Sequence, residues 1–345
     1  MPEVVPEEEV VAKLGDVYQL GDHRIMCGDS TSVEDVAKLM DGDLADLIHA
    51  DPPYGMGKEK DGVLNDNLYR EKLDAFQMDW WRAFRKHTID KGSAYIWGNA
   101  PDLWRLWYKG GLADSEHLEL RNEIVWDKKS IPGMKSDLMT QYPEASERIL
   151  YIQFGQQFIG NINSADFPEE FQPLLDYQVK ELYKAGIDKK TVQEITGVQM
   201  FSHWFTRSQF QIIGEKHYKK LQEATGQFEK PWKDLKQEWD DISKMRSYFN
   251  NAHDVMRDVW EFSRVHGDER HGHATPKPVD MMERIMHSSC PPKGIVVEPF
   301  LGSGSTLIGA EKTGRKCYGM ELDPRYIDTV VRRWEAYTGK KAVKL

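Results

Sequence analysis

With 56 acidic against 46 basic residues in 345, and a net charge of −10 at pH 7, this chain is not a polycation that coats nucleic acid through bulk electrostatics, although an enzyme acting on DNA needs only a local basic surface. The length suits one large α/β domain with an insertion, or two domains, and either way a sizeable core. Cys27, Cys290 and Cys317 are odd in number and far apart, which excludes a disulfide framework and a zinc knuckle and leaves reduced packing residues. No apolar run approaches the ~18 residues of a membrane span, and the amino terminus lacks the basic-then-apolar order of a signal peptide, so a cytoplasmic protein with no membrane partner is expected.

In chain order, residues 1–14 are acidic and flanked by prolines, the pattern of a flexible tail. Residues 15–155 alternate strands with helices, the strands falling near Arg24–Cys27, Asp46–Ala50, Ser93–Trp97, Glu123–Trp126 and Arg148–Gln153. Between them, Leu68–His87 carries Leu73, Phe76, Trp80, Trp81 and Phe84 at helical spacing, and Leu103, Leu106 and Trp107 continue the stripe in a second helix. This stripe reads as core. The apolar run Ala45–Ala50 leads into Asp51-Pro52-Pro53-Tyr54, where two prolines fix the chain direction between an acid and an aromatic ring. Asn65-Asp66, in the loop beyond, reads as flexible and polar.

Residues 156–262 lose the strand pattern and become an inserted helical module. Within it, Ile187–Val198 and Gln199–Ser208 read as helix, glycine turn, helix. In a helix-turn-helix the second helix presents polar residues to base edges, which Ser202, His203, Thr206, Arg207 and Gln209 are able to do; an ordinary helical hairpin is the plain alternative. Basic candidates for DNA contact are Lys128-Lys129 with Lys135, Lys189-Lys190 with Arg207, and Lys216–Lys220. Trp232–Val259 reads as one or two amphipathic helices that could brace the module or a second subunit in a homodimer. His266, Asp268, His271 and His273 match no standard zinc spacing, so no metal is expected.

The α/β pattern returns over residues 263–345: helix Val279–His287, strand Gly294–Val297, helix Thr306–Lys312, strand Lys316–Met320 and helix Tyr326–Tyr337. The strand at Gly294 runs into Glu298-Pro299-Phe300-Leu301-Gly302-Ser303-Gly304, whose alternate glycines let backbone approach a ligand before a helix opens through Ser305 and Thr306. In open α/β sheets ligands bind beyond the carboxyl ends of strands, so this loop and the Asp51 loop are expected to converge on one crevice.

These two segments, in this order, resemble the S-adenosylmethionine-dependent DNA amino-methyltransferases of the permuted β class. Three further segments share the resemblance: Gly21–Ser30, His273–Pro278 and Tyr318–Pro324. It implies a doubly wound, mostly parallel Rossmann-like α/β sheet with an inserted helical recognition module, S-adenosylmethionine as cofactor and double-stranded DNA as partner. By resemblance, Phe300, Gly302 and Gly304 line the methionine side of the cofactor, with Glu298, Ser305 and Thr306 counted in the same set. Glu321 would accept from the ribose hydroxyls, Asp29 would lie near the adenine edge, and Thr275 and Lys277 would contact the cofactor carboxylate. Asp323 reads as a helix cap.

The chemistry fits these residues. An exocyclic amine on a base is a poor nucleophile because its lone pair is delocalised into the ring. Asp51 and the adjacent Pro52 carbonyl could each accept one amino hydrogen, drawing the nitrogen toward tetrahedral geometry, with Pro53 completing the turn and Tyr54 stacking on a base turned out of the duplex. Asp at the first position resembles the adenine-N6 enzymes; cytosine-N4 is the runner-up. Two other classes are a helix-turn-helix protein that keeps the fold without turnover, and methylation of RNA or protein.

Overall fold

The computed structural model describes residues 4–55, 64–115, 117–129, 140, 145–155, 167, 169–243, 247–251, 253–254, 256–265 and 276–345. The chain divides into two compact units, residues 1–155 with 247–345, and residues 156–246.

Among the described residues there are ten strands: β1 (Val17–Leu20), β2 (His23–Cys27), β3 (Ala45–Ala50), β4 (Thr88–Gly98), β5 (Leu118–Asp127), β6 (Ser146–Phe154), β7 (Val259–Glu261), β8 (Ile295–Glu298), β9 (Lys316–Glu321) and β10 (Val343–Lys344). The helices are α1 (Val33–Met40), α2 (Glu71–Arg85), α3 (Ala100–Trp104), α4 (Gln172–Ala185), α5 (Lys189–Thr196), α6 (Phe201–Phe205), α7 (Glu215–Thr225), α8 (Trp232–Ser243), α9 (Val279–Ser289), α10 (Ser305–Thr313) and α11 (Pro324–Thr338). None is long and apolar enough to cross a membrane.

The first unit is a single mixed sheet of order β10-β1-β2-β9-β8-β3-β4-β6-β5-β7. Its centre, β2-β9-β8-β3-β4, is entirely parallel, and antiparallel pairs flank it on both sides. Parallel strands need both faces covered, and the side chains alternate accordingly. Leu47, Trp97 and Val296 join one core with residues of α9, α10 and α11. Ile48, Ile96 and Val297 join the other with residues of α1, α2 and the segment after α3. Trp80, Trp81 and Phe84 are buried there, the core role that their spacing predicts.

Two expectations for this unit need correction. The tail is docked, not loose, over its described part: Val5 is buried, its N–H donates to Thr329 Oγ1 at 3.1 Å, and the N–H groups of Val11 and Ala12 donate to Asp328 Oδ2 at 2.6 and 3.1 Å. A carboxylate on α11 thus satisfies backbone donors that an acidic tail would otherwise leave to water. Residues 247–262 lie with the sheet and not with the helical module, because β7 adds a parallel edge to β5 and Trp260 enters the core.

The second unit is helical around its own core, which includes Leu174, Val192, Trp204, Tyr218 and Leu235. Buried Gln178 ties it together, donating to the Trp204 carbonyl at 2.7 Å and accepting from Ile213 N at 2.8 Å. Asp188 caps α5 and Gly197, at φ +77°, ends it. The helix expected over residues 199–208 shrinks to the five residues of α6. Thr206 is extended, its hydroxyl donating back to the Ser202 carbonyl at 2.7 Å, and Gln209 is left-handed at φ +52°. Burial of Trp204 and Phe205 fixes that turn, so Arg207 and Gln209 stand on the loop after it.

The tail contact is testable. Asp328→Ala removes a charged acceptor for two backbone donors and should cost about 2 kcal/mol, read as a lower urea midpoint, with faster proteolysis of the first twelve residues.

Candidate active site

β3 and β8 are neighbours, with Leu47 opposite Val296 and Ile48 opposite Val297, so Asp51 and the Pro299–Gly304 loop emerge side by side at one edge of the sheet. They border a cavity of about 560 Å³ that also reaches Asp29, Glu147, Lys277, Glu321 and Tyr326, a volume in the usual range for a small-molecule site.

The Asp51 turn is held from several directions. Asp51 Oδ1 accepts from Tyr54 Oη at 2.5 Å, and Oδ2 accepts from Lys277 Nζ at 2.5 Å. Gln77, itself bonded by Trp80 Nε1, donates to the Pro53 carbonyl at 3.1 Å. Asp66 is 3% exposed and accepts from the N–H groups of Tyr54 and Gly55, both at 2.9 Å. This corrects the reading of Asp66 as a flexible loop residue: its carboxylate shapes the turn. Burial and the Asp51 charge push the Tyr54 hydroxyl well above its ordinary range, so it stays a donor.

Lys277 is 8% exposed on its side chain and lies between two carboxylates, Asp51 and Glu147, the latter at 3.3 Å. Burial opposes its charge, but the two acids outweigh burial and hold the ammonium above its ordinary range. Glu147, at the start of β6, is bonded in turn by Lys128 Nζ at 2.6 Å. Burial would raise the Glu147 carboxyl, yet Lys277 and Lys128 bring it below the usual range. Lys128 is buried and its ammonium is pulled down by burial against Glu147. It is therefore part of this ion network and not the surface cation for DNA that the sequence suggested. Lys129 is exposed and pairs with Glu261 at 2.7 Å.

Around the glycine loop, Glu298 and Thr306 are buried and turned toward protein. Trp97 Nε1 donates to His49 Nε2 at 2.7 Å, so in the neutral imidazole Nδ1 carries the hydrogen and donates to Glu298. Thr306 Oγ1 donates to the same carboxylate at 3.0 Å, and Phe300 N donates to its other oxygen at 3.1 Å. Glu321 Oε2 accepts from Gly302 N at 2.8 Å and Oε1 from Asp323 N at 3.0 Å; burial nevertheless pushes its carboxyl up to about 7. Asp323 caps α11 through Arg325 N. Phe300 packs on Phe76 and Trp80. Asp29 is exposed and folds its carboxylate over Thr31. Ser305 opens α10 beside the cavity, and Arg333 steadies the loop by donating to the Ser303 carbonyl at 2.6 Å.

Thr275 and Lys135, and the residues His266, Asp268, His271 and His273, lie outside the described residues. In the helical unit, Ser202, Thr206, Arg207 and Gln209 are exposed and His203 is half-buried. Arg207 donates to Gln172 at 2.6 Å and lies 3.3 Å from Glu169. Sequence reasoning passed over Glu147, His49 and Gln77. A lone acid in the first residues of a strand that turns apolar after Arg148 was the available signal for Glu147.

The profile of the N6/N4 DNA methylases matches residues 45–332, and the chain belongs to that family. Over 317 residues it is 37% identical to the DNA adenine methyltransferase YhdJ of Escherichia coli (strain K12), covering 89% of this chain and 82% of that protein. It is 38% identical over 85 residues to the type II methyltransferase M.ScaI of Streptomyces caespitosus, 23% of this chain and 28% of that protein. Among solved structures, the M1.HpyAVI–SAM complex aligns over 90% of this chain and 98% of its own at 15% identity, with a TM-score of 0.48. The cytosine-N4-specific PvuII DNA methyltransferase aligns over 93% and 90% at 13% identity, with a TM-score of 0.47. The methyl donor of the family is S-adenosylmethionine. Glu321, the glycine loop and Lys277 all line the cavity, but the Lys277 ammonium is engaged by Asp51 and Glu147, which corrects the expectation that it contacts the cofactor carboxylate.

Gly304 owes its identity to the fold as much as to any ligand. Its φ is +79°, and an added Cβ would meet Val330 of α11 at 3.0 Å, not the cavity. Gly304→Ala should therefore destabilise the protein by about 1–2 kcal/mol through the left-handed backbone alone, seen as a lower melting temperature even without cofactor, and Val330→Ala should recover only the packing part.

Proposed function

We propose that this DNA methyltransferase is site-specific and methylates the N6 amino group of adenine in double-stranded DNA, as a member of the permuted β class. The observation that supports this most directly is Asp51, held at the cavity edge beside the glycine loop with Tyr54 and Lys277 fixing its orientation. Asp51 and the Pro52 carbonyl accept the two amino hydrogens, and the Tyr54 ring stacks on the extruded base. When bound, S-adenosylmethionine supplies an electrophilic methyl on a sulfonium. Glu321 orients the ribose, Phe300 and the glycine loop line the methionine side, and Asp29 faces the adenine edge. Glu298 and Thr306 act through the loop, since their polar atoms are engaged with His49 and Phe300.

Adenine is favoured over cytosine by the Asp that opens the catalytic segment and by the relative named a DNA adenine methyltransferase, which aligns with 89% of the chain. Target recognition is assigned to the helical unit, where exposed Ser202, Thr206, Arg207 and Gln209 share one short turn and its loop with His203, and Lys129 adds a cation on the sheet unit. A second copy of the chain is a further partner in this reading.

Asp51→Ala should abolish methyl transfer while cofactor affinity stays within a few-fold, measured by radiolabel transfer and calorimetry; persistent activity would sink the assignment. Mass spectrometry of digested DNA methylated by the wild type should show N6-methyladenine, and a signal confined to N4-methylcytosine would reverse the choice of base.

The Glu321 carboxyl also sets a pH dependence. Ribose hydroxyls donate best to the ionised form, and the free protein holds the proton below about 7. Cofactor affinity should therefore be greatest above that value and fall as pH is lowered through it. In Glu321→Gln the affinity should be weaker and this slope should vanish, and an unchanged slope would move the ribose elsewhere.

A further inference from the structure

Lys277 occupies an unusual place for a buried ammonium. One carboxylate beside it, Asp51, is the proposed acceptor for the target amine; the other, Glu147, has no role in the reaction as described so far. Glu147 Oε1 is bound by Lys128, whereas Oε2 is buried, 3.3 Å from Lys277 Nζ, and without a well-formed hydrogen bond. The rings of Trp97 and Tyr54 stand 4.9 and 5.9 Å from the ammonium, closing its other sides. An incoming amine must share Asp51 with Lys277, which already holds Oδ2. Displacing a buried ammonium with nowhere to go would leave an uncompensated charge in the interior, which is strongly unfavourable.

We propose that Glu147 is a positioning residue for methyl transfer: it gives Lys277 a second seat, so that Asp51 Oδ2 is released to the target amine while the ammonium stays paired. The gap between the two seats is small. Lys277 needs only to tighten onto Glu147 Oε2, an acceptor with capacity to spare, while Lys128 keeps the other oxygen of Glu147 fixed. No proton changes hands, and the count of charges in the cavity is unchanged. This inference rests on the reading of Asp51 as the amine acceptor.

The groups facing Lys277 are Asp51 and Tyr54 after β3, and Glu147 on β6, with Lys128 after β5 behind Glu147 and Arg264 acting on Lys128 from the segment after β7. Removing the Glu147 charge leaves the ammonium with one acid, so its deprotonation moves to lower pH.

The test uses the full chain with S-adenosylmethionine and target duplex. Glu147→Gln should lower kcat by about 100-fold, leave KM for cofactor and DNA within a few-fold, and bring the alkaline limb of the kcat profile to lower pH. Glu147→Asp, which keeps the charge on a shorter arm, should recover part of kcat and return the limb toward that of the wild type. If Glu147→Gln does not fold, Glu147→Asp carries the same readouts alone, as a smaller loss of kcat with the same KM pattern. A kcat close to that of the wild type, with Asp51→Ala inactive, overturns the inference and leaves the proposed function standing. So does a loss shared equally by kcat and cofactor affinity with the alkaline limb unmoved, because that is how a merely structural support would behave. An active Asp51→Ala removes the proposed function and the inference together.

Discussion

Everything at the candidate site depends on the pairing of β3 with β8, two strands separated by most of the chain and held side by side in parallel register. Four neighbouring parallel strands, β2, β9, β8 and β3, finish at one edge, and each finishes on or near a carboxylate: Asp29, Glu321, Glu298 and Asp51. Parallel order places four chain ends on one edge, where an antiparallel sheet would alternate ends with beginnings. That edge suits a cationic sulfonium ligand.

The four acids differ because their partners differ. Asp29 folds over Thr31 in solvent, and Glu298 is buried against His49 and Thr306. Glu321 accepts backbone donors, yet burial, with the Asp323 charge beside it, lifts its carboxyl toward neutrality. Asp51 shares Tyr54 and Lys277, and through Lys277 it is joined to Glu147 and Lys128. This alternation of signs is what makes buried ions tolerable: removing any one leaves a neighbour uncompensated. Lys128, an apparent surface cation in the sequence, belongs to this chain of charges.

Much of the architecture was legible before any coordinates. Strands such as Asp46–Ala50 and Lys316–Met320 announced themselves by short apolar runs bounded by turn residues, and the Trp80–Phe84 stripe by helical spacing. Less legible was anything that depends on a partner distant in sequence. The acidic tail looked free because nothing near it in the chain reveals Asp328; Asp66 looked like loop polarity because its partners are the N–H groups of a turn eleven and twelve residues earlier. The helix expected after Gly197 ended early because Trp204 and Phe205 are drawn into the core of the helical unit, which local propensity does not record.

By itself, the sequence determined the kinds of element, their order, and the two loops that carry an acid beside an aromatic ring and glycines ahead of a helix, since these follow from local backbone preference and hydrophobic period. Only the tertiary structure decided which charges meet. Antiparallel pairing of β6 with β4 brings Glu147 to the edge where β3 ends, and there it shares Lys277 with Asp51. Ion pairs act over a few ångströms in space, without regard to separation along the chain, so that meeting could be read only from the fold.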